Sequence, residues 1–120
     1  MVKLTIPIDA VPQERPRVYN RVAVDPPKSK KFKQDFATLV KSLAISAFYT
    51  GELKVELHIF RNFNRKSHAR FGDIDNLVKS IFDALTGVLW IDDRQVVDLH
   101  VTKNLSDTPH VELAIEEVLQ

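Results

Sequence analysis

The fold of this chain is decided by one alternating stretch, Leu53-Lys54-Val55-Glu56-Leu57-His58-Ile59-Phe60. Apolar residues at every second position place one side of an extended strand against a core and leave the other side for solvent. We therefore expect a strand here with one buried face. Near the N-terminus Leu4, Ile6 and Ile8 also alternate, and because Pro7 donates no hydrogen bond to a sheet, this strand should lie at an edge.

Two amphipathic helices are expected on either side of the stretch at 53–60. Ser29 is expected to cap the first helix, which should end near Tyr49 and Gly51. Its apolar residues recur at helical spacing: Phe32, Phe36, Leu39, Val40, Leu43, Ala44 and Ala47. The second helix is expected from about Asp75 to Thr86, with a glycine directly after it as its stop.

Two segments between these elements are irregular and basic. Residues 10–27 are rich in proline and arginine, which indicates an extended arm with a short strand around Val22 to Val24. Residues 62–72 form a polar loop that contains Phe63 and Phe71. These two aromatic side chains could stack on an unpaired base, or they could anchor the loop to the core.

The order of the elements predicts the fold class. Further strands are expected at 95–103 and 111–115, with a turn at 104–109 between them. Strands that alternate with two helices and end in a closing pair of strands predict an α+β fold. We expect a small mixed β-sheet with the two main helices packed on one face, in a single domain over residues 1–120.

Composition excludes several classes of protein. The chain has 120 residues and no cysteine, which excludes disulfide bonds and zinc sites with thiolate ligands. Its longest apolar run, residues 88–91, is far shorter than the roughly 18–20 residues of a membrane helix, and Lys3 begins no apolar signal segment. We expect a cytoplasmic protein with no membrane partner.

Charge is distributed unevenly along the chain. Residues 1–72 hold 14 of the 17 Lys and Arg but only 6 of the 16 Asp and Glu, so basic residues dominate before Gly72 and acidic residues after it. This asymmetry fits a metal-dependent enzyme that acts on nucleic acid, with a basic surface beside a group of carboxylates. Alternatively, the two parts simply neutralise each other across the fold.

Carboxylates lie at both ends of the second helix. Asp73 and Asp75 stand at its start and Asp92 and Asp93 just after its end, and Mg²⁺ prefers such oxygen ligands. Asp73 and Asp75 point to the same side only if the chain is still extended there. A single aspartate would be explained as a cap or a turn residue, whereas several together favour a cation. Lys79 fits either an ion pair with Asp75 or a contact with a metal-bound phosphate.

Three motifs resemble the RusA family of Holliday-junction resolvases: Asp73-Ile74-Asp75-Asn76-Leu77-Val78-Lys79, Phe82-Asp83-Ala84-Leu85-Thr86-Gly87 and Trp90-Ile91-Asp92-Asp93-Arg94-Gln95-Val96-Val97. The segment Arg15-Pro16-Arg17 before a lysine-rich helix is also similar, so the resemblance covers nearly the whole chain. It implies a small homodimeric endonuclease that uses Mg²⁺ or Mn²⁺ to cut four-way DNA junctions by paired symmetric nicks.

The resemblance also implies roles for individual residues. Asp73, Asp75 and Asp93 match the catalytic acids of the family, which would bind the metal, and Lys79 matches its essential lysine. We expect nine basic residues to contact DNA phosphates: Arg15, Arg17, Arg21, Lys30, Lys31, Lys33, Arg65, Lys66 and Arg70.

Alternatives remain for these residues and for the function. The lysines of the first helix could be no more than solvated surface residues. A non-catalytic nucleic-acid-binding protein would use the acids only as caps and turns, and a general metal-dependent nuclease would cut linear DNA equally well. The expected homodimer follows from the substrate, because a two-fold dimer offers two equivalent sites to a junction of approximate two-fold symmetry.

Overall fold

The computed structural model describes residues 1–13, 17–19, 22–24, 27–44, 46–62 and 73–118, with the backbone alone at 17–19 and 22–24. Its helices and strands follow in the order β1 (Val2–Ile6), β2 (Arg17–Tyr19), β3 (Val22–Val24), α1 (Pro27–Leu43), β4 (Leu53–Arg61), α2 (Ile74–Leu85), β5 (Val96–Leu105) and β6 (His110–Glu117). A 3₁₀ turn at Asp93–Gln95 precedes β5.

Four of the strands form one mixed sheet in the order β1-β6-β4-β5. Strand β6 is antiparallel to both of its neighbours, β1 and β4, whereas β5 is parallel to β4. Strands β2 and β3 pair separately with each other. The predicted α+β fold with a small mixed sheet is confirmed, and so is the edge position of β1.

The alternation of β4 determines which face of the sheet is buried. Its Lys54 and Glu56 are exposed, whereas four apolar residues of the same strand are fully buried: Leu53, Val55, Leu57 and Ile59. Helices α1 and α2 contribute Phe36 and Ile81 to the same core. Burial of each such side chain stabilises the fold by roughly 1.5–3 kcal/mol. In the described part of the chain, neither helix is long and apolar enough to cross a membrane.

The end of β1 and the start of α1 differ from the predictions, and a proline is the reason in both cases. Strand β1 ends at Ile6, and the N–H of Ile8 bonds to the carbonyl of Ile6 over 2.8 Å instead of entering the sheet after Pro7. Helix α1 begins at Pro27, which suits a first helical position because the N–H there has no partner within the helix. Ser29 therefore lies buried in the first turn, and its predicted role as the cap is wrong.

Larger differences from the predicted boundaries occur at the end of α1 and at the end of β5. Helix α1 ends at Leu43, earlier than predicted, although Ala44 and Ala47 still pack against the core. The apolar spacing of these two residues therefore predicts that they are buried, but it does not predict that they are helical. Strand β5 continues to Leu105, through the first two residues of the predicted turn, because it stays paired with β4 as far as Arg61.

Candidate active site

The start of α2 carries two of the candidate acids. The helix begins at Ile74, so Asp73 is its N-cap residue with extended backbone angles (φ −69°, ψ 142°), and Asp75 lies within the first turn. Aspartate at an N-cap usually accepts a hydrogen bond from the helix backbone. The side chain of Asp73 accepts no such bond and is exposed, so capping does not explain its presence.

Asp75 and Lys79 lie one turn apart on the exposed side of α2. The buried side of the same helix consists of Leu77, Ser80, Ile81, Phe82, Ala84 and Leu85. The spacing of Asp75 and Lys79 permits an ion pair. The ion pairs found among the described residues do not include these two side chains, so a simple surface pair does not account for them.

The turn after α2 uses its two acids differently. Asp92 caps the 3₁₀ turn, since its Oδ1 accepts the backbone N–H of Arg94 over 2.9 Å and its Oδ2 accepts the guanidinium of Arg94 over 3.2 Å. These contacts, above all the backbone N–H, hold the pKa of Asp92 below its ordinary value. Asp93 is the exposed first residue of the turn.

Asp75, Lys79 and Asp93 line one groove of about 410 Å³ beside α2 and β5. Apolar side chains complete the lining: Ile74, Val78, Phe82, Leu99 and Val101. The fold thus places Asp75, near the start of α2, and Asp93, after its end, at the same groove. Asp73 is not part of this lining.

The donors of the groove fit a hard divalent cation. Mg²⁺ is usually bound by one or two carboxylates together with waters and substrate phosphates. The lining of the groove is mainly apolar, and Asp75, Asp93 and Lys79 are its charged residues. Within the described ranges, no three Asp, Glu or His side chains are grouped closely enough to hold a metal. A site in which Asp73, Asp75 and Asp93 share one ion therefore stays a prediction.

Three of the nine basic candidates have described side chains, and they differ in surroundings. Lys30 and Lys31 are exposed on α1, and Lys31 pairs with Asp35 over 2.9 Å. The ammonium of Lys33 lies 3.3 Å from the carboxylate of Asp83 on α2, and its side chain is only 17% exposed. A phosphate contact by Lys33 would have to open this pair.

The other six basic candidates have side chains outside the described residues: Arg15, Arg17, Arg21, Arg65, Lys66 and Arg70. Phe63 and Phe71 also lie outside them. The basic arm contacts α2 at Gln13, whose N–H donates to the carbonyl of Asn76 over 3.0 Å. This part of the arm therefore lies beside the first turn of α2, which also contains Asp75.

Residues 7–116 match the family model described as endodeoxyribonuclease RusA. The chain belongs to the RusA family. The matched region contains Asp73, Asp75, Lys79 and Asp93, and it includes α1, α2 and most of the sheet. Membership places the chain among the endodeoxyribonucleases, a class of hydrolases.

Individual RusA relatives align over most of their length. The crossover junction endodeoxyribonuclease RusA of Escherichia coli K12 is 32% identical over 76% of this chain and 73% of that protein. The enzyme of the same name from Enterobacteria phage 82 gives the same three figures. The uncharacterized protein YqaN of Bacillus subtilis strain 168 is 34% identical over 98% of this chain and 96% of its own length.

The sequence contains Gln95 in the third motif but assigns it no role. Its side chain forms hydrogen bonds with four backbone groups, and it lies two residues after Asp93 in the third motif. Its place in that motif is the one signal available in the sequence, because a single glutamine belongs to no periodic pattern.

Proposed function

We propose that this RusA-family protein is a Mg²⁺-dependent endonuclease that resolves four-way DNA junctions by paired symmetric nicks in DNA recombination and repair. The observation that carries the proposal is the groove in which Asp75, Lys79 and Asp93 lie together. The Escherichia coli and phage 82 relatives are named crossover junction endodeoxyribonucleases, which supports the same substrate. Action on cellular DNA would place the protein in the cytoplasm.

Asp75 and Asp93 are the proposed ligands of the cation, with Asp73 at the start of α2 as the third. Mg²⁺ is the proposed metal, and Mn²⁺ is suited by the same oxygen ligands. A bound cation would supply Lewis-acid polarisation of the phosphodiester and a water of lowered pKa. The two carboxylates of the groove would orient that chemistry toward a DNA strand lying along α2.

Lys79 is proposed to contact the scissile phosphate. Lys79 lines the same groove as both acids and is on the exposed side of α2. A fixed positive charge there stabilises the negative charge that develops on the phosphate oxygens during cleavage. Val78 and Leu99 line the same groove.

The proposed DNA contacts come from three basic segments of the sequence: residues 10–27, α1 and residues 62–72. They are the same nine basic residues that the sequence indicates. Lys30 and Lys31 are the described members that are exposed enough to meet a phosphate without a change in helix packing. Binding through such contacts weakens steeply with salt, because each phosphate contact releases counterions.

We place the proposed homodimer at the outer edge of β5. This strand is the last of the sheet, and within the described part of the chain no other strand pairs with that edge. Val97, Leu99 and Leu105 on β5 are 52%, 41% and 63% exposed. Long apolar edge strands are usually covered in native proteins, and a second copy of β5 would cover this one.

The test is cleavage of an end-labelled four-way junction by the wild-type protein and by Asp75→Asn. We expect symmetric nicks in Mg²⁺ that disappear in EDTA and in the variant, while junction binding in EDTA is retained by both. Linear duplex of the same sequence is the control substrate and should stay intact.

Two other outcomes would contradict the proposal. Junction binding without cleavage in any divalent cation would indicate a non-catalytic binding protein. Comparable cleavage of junction and linear duplex would indicate a general nuclease.

A further inference from the structure

Asp93 lies in a short segment whose two ends are fixed. On one side lies the fully buried Trp90, whose indole N–H donates to Oγ1 of Thr86 over 3.1 Å. The backbone carbonyl of Trp90 accepts the N–H of Gly87 over 2.7 Å. On the other side β5 begins at Val96. Between these ends Asp93 is exposed, so packing alone does little to fix its direction.

One side chain bridges this segment to the rest of the fold. The Oε1 of Gln95 accepts the backbone N–H groups of Ile91 and Asp92 over 2.8 and 3.0 Å. Its Nε2 donates to the backbone carbonyls of Tyr49 and Gly51 over 3.0 and 2.9 Å. The side-chain amide of Gln95 thereby links residues 91–92 to residues 49–51, which precede β4.

This arrangement is specific for a glutamine. A carboxamide has two acceptor sites on its oxygen and two N–H donors, and Gln95 uses all four. Glutamate would place an oxygen against the carbonyls of Tyr49 and Gly51. Asparagine is one methylene shorter and could not reach both sides, and methionine offers no donor.

The two acids of the turn have separate roles in this arrangement. The carboxylate of Asp92 accepts hydrogen bonds from Arg94, and Asp93 is the acid of the turn that lines the groove with Asp75. We propose that Gln95 is a positioning residue for the proposed nuclease, which holds Asp93 in the direction needed to bind the divalent cation. This inference rests on the proposed function, since it assigns Asp93 to the cation.

Outer groups that orient a metal ligand typically change metal affinity by about tenfold to a hundredfold when they are removed. We therefore expect Gln95→Asn and Gln95→Met to weaken Mn²⁺ binding about tenfold or more, as measured by electron paramagnetic resonance of free Mn²⁺ without DNA. The matched controls are Gln34→Asn and Gln34→Met, on the exposed side of α1, which should bind Mn²⁺ like the wild type. Junction binding in EDTA should be unchanged in all four variants.

The proposal would be overturned if folded Gln95 variants bind Mn²⁺ as tightly as the wild type. A lower melting temperature in those variants would then show that Gln95 stabilises the fold without positioning Asp93. Should both variants fail to fold, amide hydrogen exchange in the wild type still tests it. The N–H groups of Ile91 and Asp92 must then exchange slowly, and fast exchange would overturn it.

The variant Asp93→Asn separates failure of this inference from failure of the proposed function. If Asp93→Asn loses Mn²⁺ while the Gln95 variants keep it, only the positioning role fails. If Asp93→Asn binds Mn²⁺ as tightly as the wild type, the assignment of Asp93 to the cation fails, and the role of Gln95 fails with it.

Discussion

At the scale of single residues, the neighbouring acids Asp92 and Asp93 have different surroundings. Both are acids in the same turn, but Asp92 contacts Arg94 and Asp93 lines the groove with Asp75 and Lys79. Asparagine is as good an N-cap as aspartate. The same substitution at these two neighbours therefore removes a cap charge in one case and a proposed metal ligand in the other.

We predict that Asp93→Asn lowers the rate of junction cleavage on the order of a hundredfold or more, because loss of an outer partner alone costs up to about that much. Asp92→Asn should retain most of the activity, since its amide oxygen can still accept the N–H of Arg94. Single-turnover cleavage at saturating Mg²⁺ measures both. Equal losses in the two variants would contradict the separation of roles.

Asp75, Lys79 and Asp93 line one groove. For Asp75 and Lys79 the sequence carries the reason, because residues four apart lie on the same side of a helix. The place of Asp73 was harder to predict. It depends on where α2 begins, and a helix start at Ile74 leaves Asp73 extended while Asp75 is already helical. A shift of one residue in a helix start changes side-chain direction by about 100°, and sequence patterns do not define boundaries that finely.

At the scale of the elements, α1 and α2 meet through both apolar and charged contacts. The pair between Lys33 and Asp83 joins the helices at 3.3 Å, with both side chains partly buried. Lys30 lies on the exposed side of α1. Lys30 and Lys33 of the same helix thus have different surroundings.

We predict that Lys33→Ala lowers the free energy of unfolding by about 1–2 kcal/mol, between the values for exposed and buried pairs. Lys30→Ala should change it by less than about 0.5 kcal/mol. The salt dependence of junction binding should show the reverse order, with a slope lowered by about one phosphate contact in Lys30→Ala. A lower slope in Lys33→Ala without loss of stability would show that Lys33 contacts DNA after all.

Periodicity predicts β4 and α2 well, because the apolar residues of each lie on one buried face. It predicts the end of α1 poorly. Ala44 and Ala47 continue the apolar spacing and pack against the core, but they do so outside the helix, which ends at Leu43. Hydrophobic spacing reports which residues are buried and not which backbone carries them.

At the scale of the whole molecule, the order of strands depends on long-range pairing. Strands β5 and β6 follow each other in the chain with a short turn between them, yet β6 lies between β1 and β4, and β5 lies on the far side of β4. Local patterns in the sequence carry no signal for this insertion. It has a functional consequence, because it leaves β5 as an edge strand beside the groove.

The exposed edge of β5 suggests a specific two-fold pairing with a second copy. In an antiparallel pair centred on Leu99, that residue faces its own copy, Val97 faces Val101, and Asp98 faces His100. Apolar side chains then meet on one face of the sheet, and an aspartate meets a histidine on the other face. The contact between the two copies of Leu99 lies on the two-fold axis, and every other contact occurs twice, as that axis requires.

We predict that Leu99→Cys forms a disulfide-linked dimer under mild oxidation, because opposite Cα atoms in such a pair lie within the 4.4–6.8 Å that a disulfide spans. The natural chain has no cysteine, so each introduced one can bond only to its copy. Val97→Cys and Val101→Cys are matched controls on the same strand, and in this register each lies too far from its own copy to bond. Non-reducing electrophoresis measures the yield. Cross-linking at Val101 in place of Leu99 would shift the register, and a monomer in solution with no cross-link at any position would remove β5 as the dimer surface.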